Sequence, residues 1–171
     1  IIGICNGFQI LAKMGILPAI GGYFRRQEVT LTFNDSGRFE DRWIYLKPVS
    51  KRCIFTQGLD KIIFLPIAHA EGKFVPKDKK FLDELKKKDC VVFRYVSEDD
   101  KYGGYPINPN GSIDHIAAIC DRTGRVMGMM PHPERHISYL QNPFHTRKKL
   151  PEEGDGMLIF KNSIAYVRKN L

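Results

Sequence analysis

The sequence predicts an α/β fold with a central, mostly parallel sheet, and three features predict it. The first eleven residues, Ile1 to Leu11, run as a short apolar strand, break at a glycine-flanked cysteine and resume with helical spacing. Apolar runs of strand length are then interleaved along the chain with amphipathic helical stretches. With 171 residues, 43% of them hydrophobic, the chain can bury one sizeable core, so 1–171 reads as a single domain.

The opening stretch has the pattern of a nucleophile elbow. In Gly3-Ile4-Cys5-Asn6-Gly7 the glycines sit two residues either side of the thiol, where side chains would collide as the backbone doubles back. The turn lifts the Cys5 sulfur above the sheet edge and aims it at the N-terminus of the next helix, whose free N–H groups stabilise negative charge. An isolated G-x-C-x-G is better read as a buried cysteine in a strand–loop–helix join; the motif far downstream at His132 is what favours the elbow. Asn6 to Met14 forms the helix, with Phe8, Leu11 and Ala12 inward, and Gly15 and Pro18 end it. Gln9, one turn beyond the thiol, faces the same mouth as Cys5.

Glu28–Phe33 alternates as a half-buried strand, Asn34-Asp35-Ser36-Gly37 is a turn, and Phe39–Lys47 alternates again, so the pair is expected as a hairpin or meander. Phe39, Trp43 and Tyr45 share one face; Arg38 and Arg42 fall on the other, solvated or gripping a partner. The apolar run Lys61–Ala68 ends in His69-Ala70-Glu71-Gly72. Ligands in open sheets sit beyond strand ends, which makes His69 and Glu71 candidates to line a pocket. Asp78–Lys88 is an amphipathic helix with Phe81, Leu82 and Leu85 inward, and Cys90–Val96 is a buried strand in which Cys90 is a small core residue. Ser97–Ser112, rich in Gly, Pro and Asn, is too long for a simple connector.

Ile113–Cys120 and Arg125–Met130 read as two strands joined at Asp121-Arg122-Thr123-Gly124, a hairpin that delivers His132 to the sheet end. His115, among apolar neighbours, reads as a packed or edge histidine. A cysteine nucleophile needs a base and a group that orients the base. In Pro131-His132-Pro133-Glu134-Arg135 the prolines fix an extended backbone, on which residues two apart point the same way, so Glu134 reaches the His132 ring. His69 with Glu71 is the rival pair. The polar stretch after Arg135, with Pro143, His145 and Pro151, is a loop over the site or a docking surface. Asp155 is expected to cap a last helix whose stripe Met157, Phe160, Ile164, Val167 and Leu171 packs into the core.

Composition excludes several classes. No stretch approaches membrane-span length. The cysteines at 5, 53, 90 and 120 form no C-x-x-C pair, which argues against zinc and against a disulfide framework and fits a reducing cytoplasm. The net charge of +8 is spread over short clusters such as Lys86-Lys87-Lys88, without the interleaved aromatics or reading helix of a nucleic-acid binder.

Cys5-Asn6-Gly7-Phe8-Gln9 together with Pro131-His132-Pro133-Glu134-Arg135 closely resembles the class I (triad) glutamine amidotransferases over essentially the whole chain. Asn6, His69-Ala70-Glu71-Gly72 and Asn108-Pro109-Asn110-Gly111-Ser112 look like the branch that forms the glutaminase component of phosphoribosylformylglycinamidine synthase in purine biosynthesis. That resemblance implies a three-layer, flavodoxin-like domain in which Cys5 attacks the glutamine side-chain amide, His132 and Glu134 complete the triad, and the Asn6 N–H donates to the oxyanion. It places Gln9 beside the substrate and Asn108–Ser112 near the mouth, and it usually has Gly where this chain has Ala70, leaving that loop's backbone open. It further implies that ammonia passes to a synthetase subunit or domain, with room for a small accessory subunit. The synthetase uses ATP and Mg; this chain needs no cofactor or metal and has no phosphate-cradling Gly-rich loop. Residue 1 is not Met and the chain opens inside an expected buried strand, so it is expected to be the C-terminal part of a longer domain whose preceding Gly-Gly turn supplies a second oxyanion donor. A γ-glutamyl hydrolase or class I-like peptidase, and a non-catalytic scaffold module, are the alternatives.

Overall fold

A computed structural model describes residues 1–22, 24 and 26–170. In chain order the elements are β1 (Ile2–Ile4), α1 (Asn6–Lys13), β2 (Val29–Phe33), β3 (Glu40–Pro48), β4 (Ile63–His69), β5 (Glu71–Pro76), α2 (Lys79–Lys87), β6 (Val91–Val96), β7 (Ile116–Cys120), β8 (Met127–Met129) and α3 (Met157–Asn170). Six strands form the main sheet in the order β1-β8-β7-β6-β3-β4, and β2 with β5 forms a separate two-stranded sheet.

The α/β class holds, with a correction to the sheet. Among the described residues only β1–β8 is a parallel ladder; β8–β7, β7–β6, β6–β3 and β3–β4 are antiparallel. Of these antiparallel neighbours β7 and β8 are joined by a link too short for the crossover a parallel pair needs. The expected β2–β3 hairpin does not form either: β2 pairs with β5, and β3 lies between β4 and β6. The Asn34 turn moves the chain from one sheet to the other.

Alternation sets the core. Ile44 and Leu46 of β3 pack inward with Ile63, Leu65 and Ile67 of β4 and Phe93 of β6, while Phe8 and Leu11 of α1 close the β1–β8 end. Gly128 leaves the space that Phe8 fills: a Cβ there would lie 2.2 Å from the Phe8 ring. Trp43 and Tyr45, on the other face of β3, stack on Phe64 at 5.0 and 4.6 Å, and Phe144 lies against the same ring. The segment after Arg135 therefore covers this aromatic face.

Other expectations shift. Ile113–His115 is an irregular short turn in which Asp114 and His115 both adopt positive φ, which breaks the extended backbone, so β7 starts at Ile116. Asp155 does not cap α3; its carboxylate accepts from Phe64 N at 3.0 Å and pairs with Lys61. The face of α3 that packs inward centres on Ile159, with Asn162 donating to Phe55 O and Gln57 O. The stripe is rotated outward: Ile164 and Val167 are about half exposed, and Leu171 lies outside the described residues.

Candidate functional site

The parallel register of β1 and β8 sets the site. Ile4 pairs with Met129, and Cys5 N donates to Met129 O at 2.8 Å, so the thiol leaves β1 beside the point where the chain leaves β8 for His132. Cys5 holds φ 53° and ψ −108°, a strained conformation for a residue with a side chain, and α1 starts at the next residue. Gly3 makes the turn possible: a Cβ there would meet Gly7 O at 2.7 Å and Leu11 Cδ1 at 2.5 Å. Gly7 departs from expectation, since a Cβ there would meet nothing within 4 Å. Only one of the two flanking glycines is required by space.

His132 is fixed from the other side. Its N–H donates to Pro66 O at 2.8 Å, tying it to β4, and Pro133–Arg135 then forms a 3-10 turn. That turn, not an extended backbone, carries Glu134 back to the ring, with Oε1 2.6 Å from Nδ1. The imidazole pKa is pushed up to about 9, first by the Cys5 thiol and then by Glu134. His132 Nε2 is buried and makes no hydrogen bond among the described residues, so Cys5 and the ring do not form a closed hydrogen bond. At Glu134, burial acts to raise the carboxyl, but the hydrogen bond from His132, its own backbone N–H and the charges of His132 and Arg135 leave it below the usual range.

His69 takes a different role. Asn34 Nδ2 donates to Arg38 O and His69 O at 2.9 and 2.8 Å, which orients the amide and leaves Oδ1 to accept from Gly72 N and His69 Nδ1, both at 3.1 Å. The His69 proton therefore sits on Nδ1. Burial, and secondarily the charge of His132, lower its pKa to about 4, so the ring is neutral. Its partner is an amide and not the Glu71 carboxylate, so among the two candidate pairs only His132 is backed by an acid. Asn34, read from sequence only as a turn residue, is what the sequence reasoning missed, and its wide separation from His69 left no local signal. Gly72 keeps the ring in place, because a Cβ there would lie 2.2 Å from it. Ala70 is absent from the positive-φ residues, so alanine fits the loop where the resembled family has glycine.

Cys5, Gln9, His69, Glu71, His132 and Arg135 line one pocket of about 630 Å³. Gln9 Nε2 donates to Glu71 O at 2.7 Å, so Gln9 holds the mouth loop. Asn6 is exposed at the start of α1, where the first N–H groups of a helix have no intrahelical acceptor. A second cavity of about 510 Å³ lies across β3, between Arg38 and Glu40 on one side and Tyr105 and Asn108 on the other. It is lined by no cysteine or histidine, whereas the thiol pocket brings Cys5, His69 and His132 together. Asn108, Asn110 and Ser112 do not line the thiol pocket; they bond to one another and to Gly72 O and Phe74 N, bracing the mouth loop. Arg42 is not solvated: its guanidinium stacks 4.6 Å from the Tyr105 ring centre. His115 stacks on Tyr102, as an edge histidine.

A strained cysteine between strand and helix, faced by a histidine that a carboxylate backs, defines an α/β protein of the nucleophile-elbow class. More narrowly, the chain belongs to the CobB/CobQ-like glutamine amidotransferase domain family, whose sequence model matches residues 1–167. It is 46% identical to phosphoribosylformylglycinamidine synthase subunit PurQ of Dehalococcoides mccartyi and 44% identical to that of Archaeoglobus fulgidus, each over 99% of this chain. It spans 64% and 63% of the length of those two relatives. The solved structure of PurLQS from Thermotoga maritima matches with a TM-score of 0.70 and 32% identity, over 97% of this chain and 61% of that one.

Proposed function

We propose that this chain carries the thiol centre of a glutaminase that supplies ammonia to a synthetase converting formylglycinamide ribonucleotide to formylglycinamidine ribonucleotide. The observation that carries the reading is that Cys5 and His132, more than a hundred positions apart, line one pocket while the Glu134 carboxylate lies 2.6 Å from the His132 ring. In the proposed cycle His132 takes the Cys5 thiol proton, the thiolate attacks the side-chain carbonyl of glutamine, and the Asn6 N–H donates to the developing oxyanion. Protonated His132 gives its proton to the departing ammonia. It then takes one from water, which hydrolyses the γ-glutamyl thioester and releases glutamate. Glu134 holds the ring in the tautomer this requires. Neutral His69 and the Gln9–Glu71 contact shape the mouth, and ATP and Mg act at the synthetase partner.

The test is glutamine-dependent ammonia release by the full-length protein assembled with its synthetase, alongside labelling by a glutamine-derived diazoketone. Cys5→Ala abolishes both, and peptides carrying internal glutamine release no ammonia. Undiminished ammonia release from Cys5→Ala would sink the reading.

A further inference from the structure

His69 and His132 line the same pocket as Cys5, and the Nε2 atoms of both rings are buried without a hydrogen bond among the described residues. The chemistry at Cys5 uses His132 Nε2 and leaves His69 Nε2 unexplained. His69 is only 4% exposed, and a buried polar atom without a partner is costly unless a bound group completes it. The end of β4 places this nitrogen. Pro66 O accepts from His132 N at 2.8 Å, Ala68 O lies 3.8 Å from the Cys5 sulfur, and His69 is the next residue. One strand end therefore touches both the thiol and its base and carries a second imidazole beside them.

That imidazole is set as an acceptor. Asn34 Oδ1 takes the Nδ1 proton and also accepts from Gly72 N, each at 3.1 Å, while Asn110 Nδ2 and Ser112 Oγ clamp the Gly72 carbonyl at 2.9 and 3.3 Å. With the proton on Nδ1, Nε2 presents a lone pair. Burial and then the charge of His132 bring the His69 pKa down to about 4, whereas that of His132 is pushed up to about 9. Two histidines whose surroundings drive their pKa values apart divide the work: one carries protons, the other only accepts hydrogen bonds.

We infer that His69 Nε2 is the second acceptor for the water that hydrolyses the γ-glutamyl thioester, with Asn34 as the residue that positions it. The inference rests on the glutaminase reading and assigns a residue to its second half-reaction. Water has two O–H donors and attacks through a lone pair, so two acceptors fix it for attack. His132 Nε2 takes one proton as the C–O bond forms and returns it to sulfur as the C–S bond breaks. The other O–H donates to His69 Nε2 and stays with the new γ-carboxyl group. No water takes part in the first half-reaction, so attack by Cys5 and loss of ammonia do not need this acceptor.

Kinetics on the full-length protein with its synthetase separate the two halves. His69→Phe keeps a ring and removes the acceptor. It lowers kcat for glutamine about 10- to 100-fold, the loss of one hydrogen bond in a transition state. KM falls in parallel, and kcat/KM, which reports thioester formation, is unchanged. The thioester on Cys5 accumulates in rapid-quench mass spectra, and hydroxylamine, a stronger nucleophile than water, restores turnover by trapping it as the γ-glutamyl hydroxamate. His69→Gln, whose amide oxygen still accepts, recovers most of kcat. Asn34→Ala, which keeps both histidines but frees the tautomer, shows the same split in milder form. If kcat/KM falls as far as kcat with no thioester accumulating, or if His69→Gln is no better than His69→Phe, His69 is a structural part of the pocket and the inference is overturned. Activity that survives Cys5→Ala would instead defeat the underlying glutaminase reading.

Discussion

His132 ties chemistry to pH. Its folded-state pKa, about 9 against an ordinary 6.5, is raised, so its protonation stabilises the fold fully below about pH 6.5 and that contribution is lost as pH climbs through 9. The first cause is Cys5, so Cys5→Ala should flatten the fall of Tm between pH 6.5 and 9, while below 6.5 the two proteins differ by a constant offset. Thermal melts across that window check it, and parallel curves for the two proteins would show that the thiol does not hold the proton on the ring. The pairing of Cys5 with His132 was legible because each lies in a short motif whose residues imply a role. Asn34 was not legible, because its hydrogen bonds to His69 and Gly72 cross more than thirty residues and only the fold brings them together. Nor was Gly128, whose absent side chain matters only because Phe8 occupies the space.

The β1–α1 elbow separates two glycines that the motif writes symmetrically. A methyl group at Gly3 would meet the Gly7 carbonyl at 2.7 Å and the Leu11 side chain at 2.5 Å, and backbone cannot yield as a flexible side chain can. Gly3→Ala is expected to cost about 1–3 kcal/mol through overpacking and to slow Cys5 alkylation, because the strained φ of Cys5 depends on that approach. Gly7 lies inside α1 with open space beyond it, so Gly7→Ala should gain about 0.5–1 kcal/mol of helix stability without slowing alkylation. Urea melts and iodoacetamide rates on the two variants give opposite signs if the elbow is built this way. Elements were readable in proportion to how local their cause is. The helix around Phe8, Leu11 and Ala12 and the β7–β8 hairpin follow from spacing and from Asp121, whose carboxylate accepts from Thr123, Arg125 and Val126 N. The partners of β2 and the rotation of α3 depend on which surfaces meet after collapse, and periodicity alone is silent on that.

The fold divides its labour between two regions joined by β4. At one end of the strand, His69 closes the thiol pocket and Pro66 O anchors His132; along its length, Phe64 carries Trp43, Tyr45 and Phe144, and its carbonyl accepts from His136 Nδ1 at 2.8 Å. No residue after Arg135 lines the thiol pocket among the described residues. Phe64→Ala should therefore loosen the aromatic face and cost about 2–3 kcal/mol, less than a fully enclosed phenylalanine because the ring is only half-buried. Cys5 should keep its alkylation rate, because the groups that position it, Met129 O and Gly3, do not touch Phe64. Hydrogen exchange should rise in residues 136–145 and stay unchanged in β1 and β8. A parallel loss of Cys5 reactivity would mean that the packing of the segment after Arg135 reaches the thiol through Pro133 and His132, making the two regions one cooperative unit.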